Sequence, residues 1–406
     1  MLVELNQQLH TTSTETIASQ LPQRPIRVVQ VGDSWSVDNG GGGAGRVFAV
    51  LAQYLPSHDV SVTGAVAAPL NVDALTNGSI RSFSASQAST TKRWLGARQT
   101  VSNMLAANRP DLVASHFALY ISAVVLKLKH LAHVVHFHGP WAAESLQEGS
   151  GRLAAAAKYR MEKFVYSRAD AIVVLSKSFA ELICTQYRVD ERKLRIIPGS
   201  VDLDLFDVNL SKRAAREFLG WPTDRPILLA VRRLSNRMGL DRLIRAMVTV
   251  KSAQPDVLLY IGGQGSQRAA LEQQVAELDV QRHVRFCGFI PGQLLPLAYR
   301  AADINVVPSK ALEGFGLIAA EALAAGTPSM VTPVGGLPEV VAPLSNSLVF
   351  RSSASAHIAD GLIQALSGAI ALPSQRACRD YARQNFSASL MASRTAHVYR
   401  QVLQVA

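Results

Sequence analysis

The chain has 406 residues, 48% of them apolar and 17% charged, and Lys and Arg outnumber Asp and Glu 41 to 30 for a net charge of +11. That length exceeds one typical core and predicts two domains, while no uninterrupted apolar run reaches the ~18 residues that a membrane-crossing helix needs. The basic residues are scattered and not interleaved with aromatics, which argues against nucleic acid as a partner and leaves anionic lipid surfaces or anionic substrates.

Residues 1–24 are polar, rich in Thr, Ser and Gln, and lack the apolar centre of a signal peptide. They read as a flexible tail on a cytoplasmic protein. Cys184, Cys287 and Cys378 stand far apart and in no metal-binding spacing, as reduced thiols do. Apolar runs then alternate with helix-like stretches. Strands are predicted at Ile26–Val31, Val60–Val66, Leu112–Ser115, Val134–Phe137, Ala171–Leu175 and Leu194–Ile197, with helices over Gly45–Leu55 and Ala118–Leu131. After a charged, proline-bearing join at Phe206–Pro226 a second series follows. Its strands are Ile227–Val231, Val257–Ile261, Val284–Phe286, Ile304–Val307 and Ser329–Val331; its helices are Leu240–Ser252, Ser266–Leu278, Leu294–Ala301 and 316–325. The last 25 or so residues read as helix. Such alternation predicts two α/β domains with parallel sheets and a ligand cleft beyond the strand ends.

The most informative segment is 308–328, Pro-Ser-Lys-Ala-Leu-Glu-Gly-Phe-Gly-Leu-Ile-Ala-Ala-Glu-Ala-Leu-Ala-Ala-Gly-Thr-Pro. It joins a buried strand to an alanine-rich helix, with glycines at the join and Glu313 and Glu321 bracketing the helix start. A helix N-terminus suits phosphate, and carboxylates accept hydrogen bonds from a polyol, so the segment fits a sugar nucleotide. The glycines of Gly40–Gly45 sit before a helix and resemble a dinucleotide fingerprint. However, seven residues separate them from the strand and no acid ends the next strand, which counts against a nicotinamide site. Alternation puts His136 and His138 on one face. His138 is the better substrate donor, His116 a weaker one, and packed or capping histidines the alternative. Arg232, Arg233 and Arg237 follow a strand end, as phosphate partners or solvated residues. Gly262-Gly263-Gln264-Gly265 is a strand-to-helix turn or a ligand contact. No Asp-x-Asp reads as a cation site, since Asp202-Leu203-Asp204 follows a Pro-Gly turn, and no metal site is expected.

Taken in this order, the pieces resemble glycosyltransferase family 4, retaining enzymes of the two-domain GT-B fold, over roughly 26–350. The resemblance rests on Gly42-Gly43-Ala44-Gly45-Arg46-Val47, on Ala169–Ser176 and on Lys193–Asp202. Its most specific element is the Glu313-to-Glu321 spacing, followed by Pro333–Glu339. It implies an α/β fold of two Rossmann-like parallel-sheet domains facing a cleft. The tail covers 1–24, the acceptor domain 25–205 and the nucleotide-sugar domain 206–380, and 381–406 is a C-terminal helix able to pack back on the first domain. It also implies that Glu313, His138 and Arg233 carry catalysis. Gly43, Arg233, Arg237, Phe315, Gly316, Leu317 and Glu321 would bind the donor, Glu321 through its ribose. One departure stands out: where the family places a lysine before Gly239 to pair with the diphosphate, this chain has Met238. The expected function is retaining, metal-independent sugar transfer from a nucleotide-diphosphate sugar, the co-substrate, to a hydroxyl acceptor such as a lipid-linked one, without a cofactor, by a cytoplasmic enzyme suited to the inner face of a membrane. The alternatives are a sugar-nucleotide epimerase or hydrolase on the same fold, and a non-catalytic binder of the donor.

Overall fold

The computed structural model describes residues 24–35, 43–68 and 71–405. Residues 1–23 of the expected tail, and Gly40 to Gly42 of the glycine loop, lie outside these.

Short β-branched and aliphatic runs make the strands, and those in the middle of each sheet are buried on both faces, as parallel strands covered by helices must be. In the first half they are β1 (Ile26–Val31), β2 (Val60–Ala67), β3 (Ile80–Ser84), β4 (Leu112–Ser115), β5 (Ala132–Phe137), β6 (Ala171–Val174) and β7 (Leu194–Ile196). They form one parallel sheet in the order β3-β2-β1-β4-β5-β6-β7. The second half contributes β8 (Ile227–Val231), β9 (Leu258–Gly262), β10 (Val284–Gly288), β11 (Ile304–Val307) and β12 (Ser329–Val331), ordered β10-β9-β8-β11-β12 and again parallel.

The first domain holds more elements than expected, among them the helices Trp141–Gln147, Arg152–Tyr166 and Lys177–Tyr187, for which no element was predicted. Strand β3 and the helix Thr90–Asn108 appear where no element was predicted. The helix expected over Ala118–Leu131 is broken into Ala118–Ser122 and a 3-10 turn at Val125–Leu128. Ser122 Oγ donates to the Leu119 carbonyl and accepts from Trp94 Nε1, and the chain leaves helical geometry at Val124, φ −131°.

The final helix, Ala388–Val405, returns to the first sheet. Met391, Ala392, Ala396, Tyr399 and Val402 share a buried cluster with Val28, Leu51 and Val134. Tyr399 Oη lies 2.9 Å from His136 Nε2, and Arg400 donates to the His58 carbonyl at 2.6 Å. The C-terminus thereby ties the two halves together, and the carboxyl ends of β1, β4, β5, β8 and β11 open on one cleft.

Candidate functional site

The cleft has a volume of about 370 Å³. Its second-domain wall is built by the turns that leave β8 and β11. After β11 the chain reaches Glu313 and then turns at Gly316, which takes φ +90° and where a Cβ would stand 2.3 Å from Leu337 Cδ2. Only glycine fits there. The turn brings the helix Leu317–Ala324 in with its N-terminus at the cleft. The first amides of a helix have no partner within it. The Phe315 ring is buried, edge-on to Phe386 at 5.5 Å.

Glu313 is held by Arg232, whose Nη2 lies 2.5 Å from Oε2, and by Ser309 Oγ at 2.9 Å. Burial alone would raise this carboxyl, but the Arg232 charge and these two hydrogen bonds outweigh it and hold Glu313 below the usual range, hence ionised. Glu321, 2% exposed, is ion-paired with Arg46 of the first-domain helix Gly43–Tyr54, and Tyr299 Oη donates to its other oxygen at 3.2 Å.

Arg233 and Arg237 line the cleft, and both are met by carboxylates of the opposing domain. Arg233 Nη1 lies 3.2 Å from Glu148, and Arg237 Nη2 lies 3.5 Å from Glu144. Glu144 lies on the short helix Trp141–Gln147, and Glu148 follows its end. Arg237 also donates to the Leu312 carbonyl at 3.0 Å. Burial raises the Glu144 carboxyl, opposed by the Arg237 charge.

The first-domain wall is a stack of imidazoles. His116 lies parallel to His136, ring centroids 4.5 Å apart, and its Nδ1 is 3.0 Å from His138 Nε2. Burial pushes His138 down to about 4 and His136 to about 3, and burial, with the two neighbouring imidazoles, holds His116 well below its ordinary value. All three are neutral at pH 7, so His138 is a hydrogen-bond donor or acceptor here and not a charged acid. Its Nδ1 has no partner among the described residues. Asp33, Phe117, Trp141 and Glu162 complete the wall. Glu162 takes four bonds, from the Trp141 and Ala142 amides and from Tyr166 and Tyr187, and so anchors the helix carrying Glu144.

Of the expected residues, Gly43, His138, Arg233, Arg237, Glu313, Phe315, Gly316 and Leu317 line this single cleft. Glu321 sits just behind it, on Arg46. Sequence reasoning assigned no role to Arg46, Glu144 or Glu148, and it left Arg232 as a phosphate partner or a solvated residue; the structure buries Arg232 against Glu313. Asp202 caps the helix Leu203–Phe206 through the Leu205 amide, a structural use. Among the described residues no group of three or more His, Cys, Asp or Glu side chains is arranged to hold a metal ion.

Two parallel α/β domains facing a cleft, with this helix start and glutamate pair, define the GT-B class. The Anabaena protein HepE, solved with UDP, matches 93% of this chain and all of its own with a TM-score of 0.75 at 18% identity. A sucrose-phosphate synthase from Thermosynechococcus elongatus matches 95% of this chain and all of its own, with a TM-score of 0.76 at 24% identity. At such identities these likenesses show the fold alone. In sequence, residues 41–205 match Glycosyltransferase Family 4 and residues 211–385 match Glycosyl transferases group 1. The chain belongs to glycosyltransferase family 4. Curated relatives include a glycosyltransferase of Methanocaldococcus jannaschii, 38% identical over 42% of this chain and 44% of its own length. A D-inositol 3-phosphate glycosyltransferase of Stackebrandtia nassauensis is 32% identical over 59% of this chain and 57% of its own. The chain thus spans about half the length of the curated relatives it matches.

Proposed function

We propose that the protein transfers a sugar from a nucleotide-diphosphate sugar to a hydroxyl acceptor, with retention at the anomeric carbon. The observation that carries this reading is the convergence of ionised Glu313, Arg233, Arg237 and the Leu317 helix start in one cleft faced by His138. The donor diphosphate lies against Arg233, Arg237 and the helix start. Its sugar hydroxyls meet Glu313 and His138, and its ribose reaches Glu321. Charge developing on the departing diphosphate is stabilised by preorganised donors. The acceptor hydroxyl attacks from the face the diphosphate leaves; the anomeric C–O bond to phosphate breaks, the new glycosidic bond forms, and the hydroxyl proton passes to the departing phosphate oxygen. No metal ion or strong protein base takes part. HepE has also been solved with UDP-glucose, which makes UDP-sugars the first donors to test.

The acceptor enters from the first domain, and a lipid-linked acceptor at the cytoplasmic face of a membrane suits this domain's surface. Exposed Leu95 and Leu126 stand among exposed Lys92, Arg98, Lys127 and Lys129. Residues 88–131 contain one carboxylate, Asp111, which Arg24 and Arg27 neutralise. No helix among the described residues is long and apolar enough to cross a membrane, so attachment would be peripheral.

The test offers UDP-, GDP- and ADP-sugars and measures protection against thermal unfolding, which follows from selective binding to the native state. One class of donor protects if the reading holds. If none does, the reading is wrong.

A further inference from the structure

We infer that Arg232 is a catalytic residue that contacts the donor's diphosphate with one arm of its guanidinium while the other arm orients Glu313. This rests on the sugar-nucleotide reading above and assigns, within that site, a residue that reading leaves without a ligand contact.

Three observations converge on it. The Arg232 side chain is 5% exposed yet lines the cleft, and its Nη2 holds Glu313 at 2.5 Å. Its Nη1 is buried with no hydrogen-bond partner among the described residues. A guanidinium stays charged and has donors only, so an open arm inside the protein is costly until an oxygen lone pair meets it. Second, Met238 occupies the place where the family resemblance expects a lysine. Met238 is buried and carries no charge, and the Arg232 guanidinium lies against its sulfur, Nη2 to Sδ 2.7 Å. The cation beside residue 238 is therefore Arg232. Third, Arg233 and Arg237 already face carboxylates of the other domain, Glu148 and Glu144, whereas the open arm of Arg232 bonds to none among the described residues.

The backbone of Arg232 is fixed as well. Its amide donates to the Gly262 carbonyl at 2.8 Å. Gly263, at φ +133°, comes so close that a Cβ there would stand 1.8 Å from the Arg232 carbonyl oxygen. The Gly262–Gly265 loop is therefore a packing element that holds Arg232 in place. One guanidinium shared between Glu313 and a phosphate oxygen would set the reacting sugar and its leaving group at a fixed spacing, which is how positioning and electrostatic stabilisation combine.

The experiment compares the full-length wild type with R232Q, R232A and R232A/M238K. It reads turnover at saturating donor and thermal protection by UDP, GDP and ADP. R232Q removes the charge and keeps an amide donor on a shorter side chain. We expect R232Q and R232A each to lose at least about 100-fold in turnover, the size of effect seen when one preorganised donor is lost, and to lose most of the protection by nucleoside diphosphate. We expect R232A/M238K to recover both in part, because its ammonium enters the vacated place. Turnover and protection of R232Q near wild-type values overturn the inference. So does an R232A whose turnover falls while nucleoside diphosphate protection is unchanged and M238K restores nothing, since Arg232 would then serve Glu313 alone. Absence of protection in the wild type by all three nucleotides, seen before any substitution, overturns the sugar-nucleotide reading itself and this inference with it.

Discussion

Arg233 and Glu148 meet across the cleft, Nη1 to Oε1 at 3.2 Å, so that a first-domain carboxylate pairs with an arginine expected to face the donor's diphosphate. The pair is open to water, with the Arg233 side chain 58% exposed, and exposed pairs contribute about 1 kcal/mol or less. A doubly charged diphosphate can displace such a partner. Arg233→Ala is predicted to lower turnover by about 100-fold or more while the melting temperature stays near that of the wild type. Glu148→Gln is predicted to lower the donor concentration at half-saturation by up to about fivefold, the equivalent of 1 kcal/mol. Steady-state kinetics on both variants checks this. Unchanged turnover in Arg233→Ala places the clamp elsewhere.

Glu313 and Glu321 separate by what holds them. Glu313 faces the cleft, and Glu313→Gln should mainly lower maximal turnover, because its charge matters more as positive character develops on the sugar. Glu321 bridges Arg46 and Tyr299 behind the cleft. Each carboxylate oxygen can accept more than one bond, so a ribose hydroxyl can share it. Glu321→Gln should raise the half-saturation concentration of donor. It should also lower stability by about 3 kcal/mol, as breaking a buried pair does. Donor saturation curves and denaturant titrations of the two variants decide it; a Glu321→Gln protein with wild-type stability and lowered maximal turnover alone would reverse the assignment.

Buried neutral histidines predict acid lability. Burial pushes His133 and His138 down to about 4 and His136 to about 3, against an ordinary value of 6.5. Between pH 6.5 and 4 the unfolded chain therefore binds protons that the folded one does not, and stability falls as pH falls through that window. Above pH 6.5 this contribution is fully present. His133 lies on Ser115 Oγ at 2.8 Å, away from the cleft lining. Replacing it by Gln should remove up to about 3 kcal/mol of this pH dependence. Denaturant melts of wild type and His133→Gln from pH 7.5 to 4.5 measure it. Identical slopes would mean that His133 is not held neutral.

The basic, leucine-studded surface predicts salt-sensitive binding to anionic vesicles. Each basic residue near a membrane contributes about 1 kcal/mol, screened within a Debye length of roughly 10 Å at moderate salt. Reversing Lys92, Arg98, Lys127 and Lys129 to Glu should abolish co-sedimentation at low salt. Wild-type protein that stays in the supernatant with anionic vesicles at low salt removes the membrane and favours a water-soluble acceptor.

Most strands could be read from the sequence because buried parallel strands are continuous apolar runs, as Ala171–Val174 and Ile227–Val231 are. That same burial hid the orientation of Arg232 and Arg233. A strand buried on both faces has no polar side against which to set the alternation beyond its end, so the sequence could not say which arginine turns inward. The segment from Glu313 to Glu321 was legible because its constraints are local: a strand end, glycines and a helix start. The partners of that segment were not. Arg46 precedes Glu321 by 275 residues, and Glu144 precedes Arg237 by 93; only domain packing brings them together. Strand β3 escaped notice because its core-facing residues, Ile80 and Phe83, are separated by polar ones, and it holds a sheet edge.

The most direct measurement of the central claim is the anomeric configuration of the product. Transfer from the donor that protects the protein, run with excess chelator and followed by proton NMR of the anomeric signal, is predicted to give a glycoside with the configuration the sugar had in the donor, at a rate that chelation does not change. A product of inverted configuration, or free sugar with no glycoside, would contradict the account.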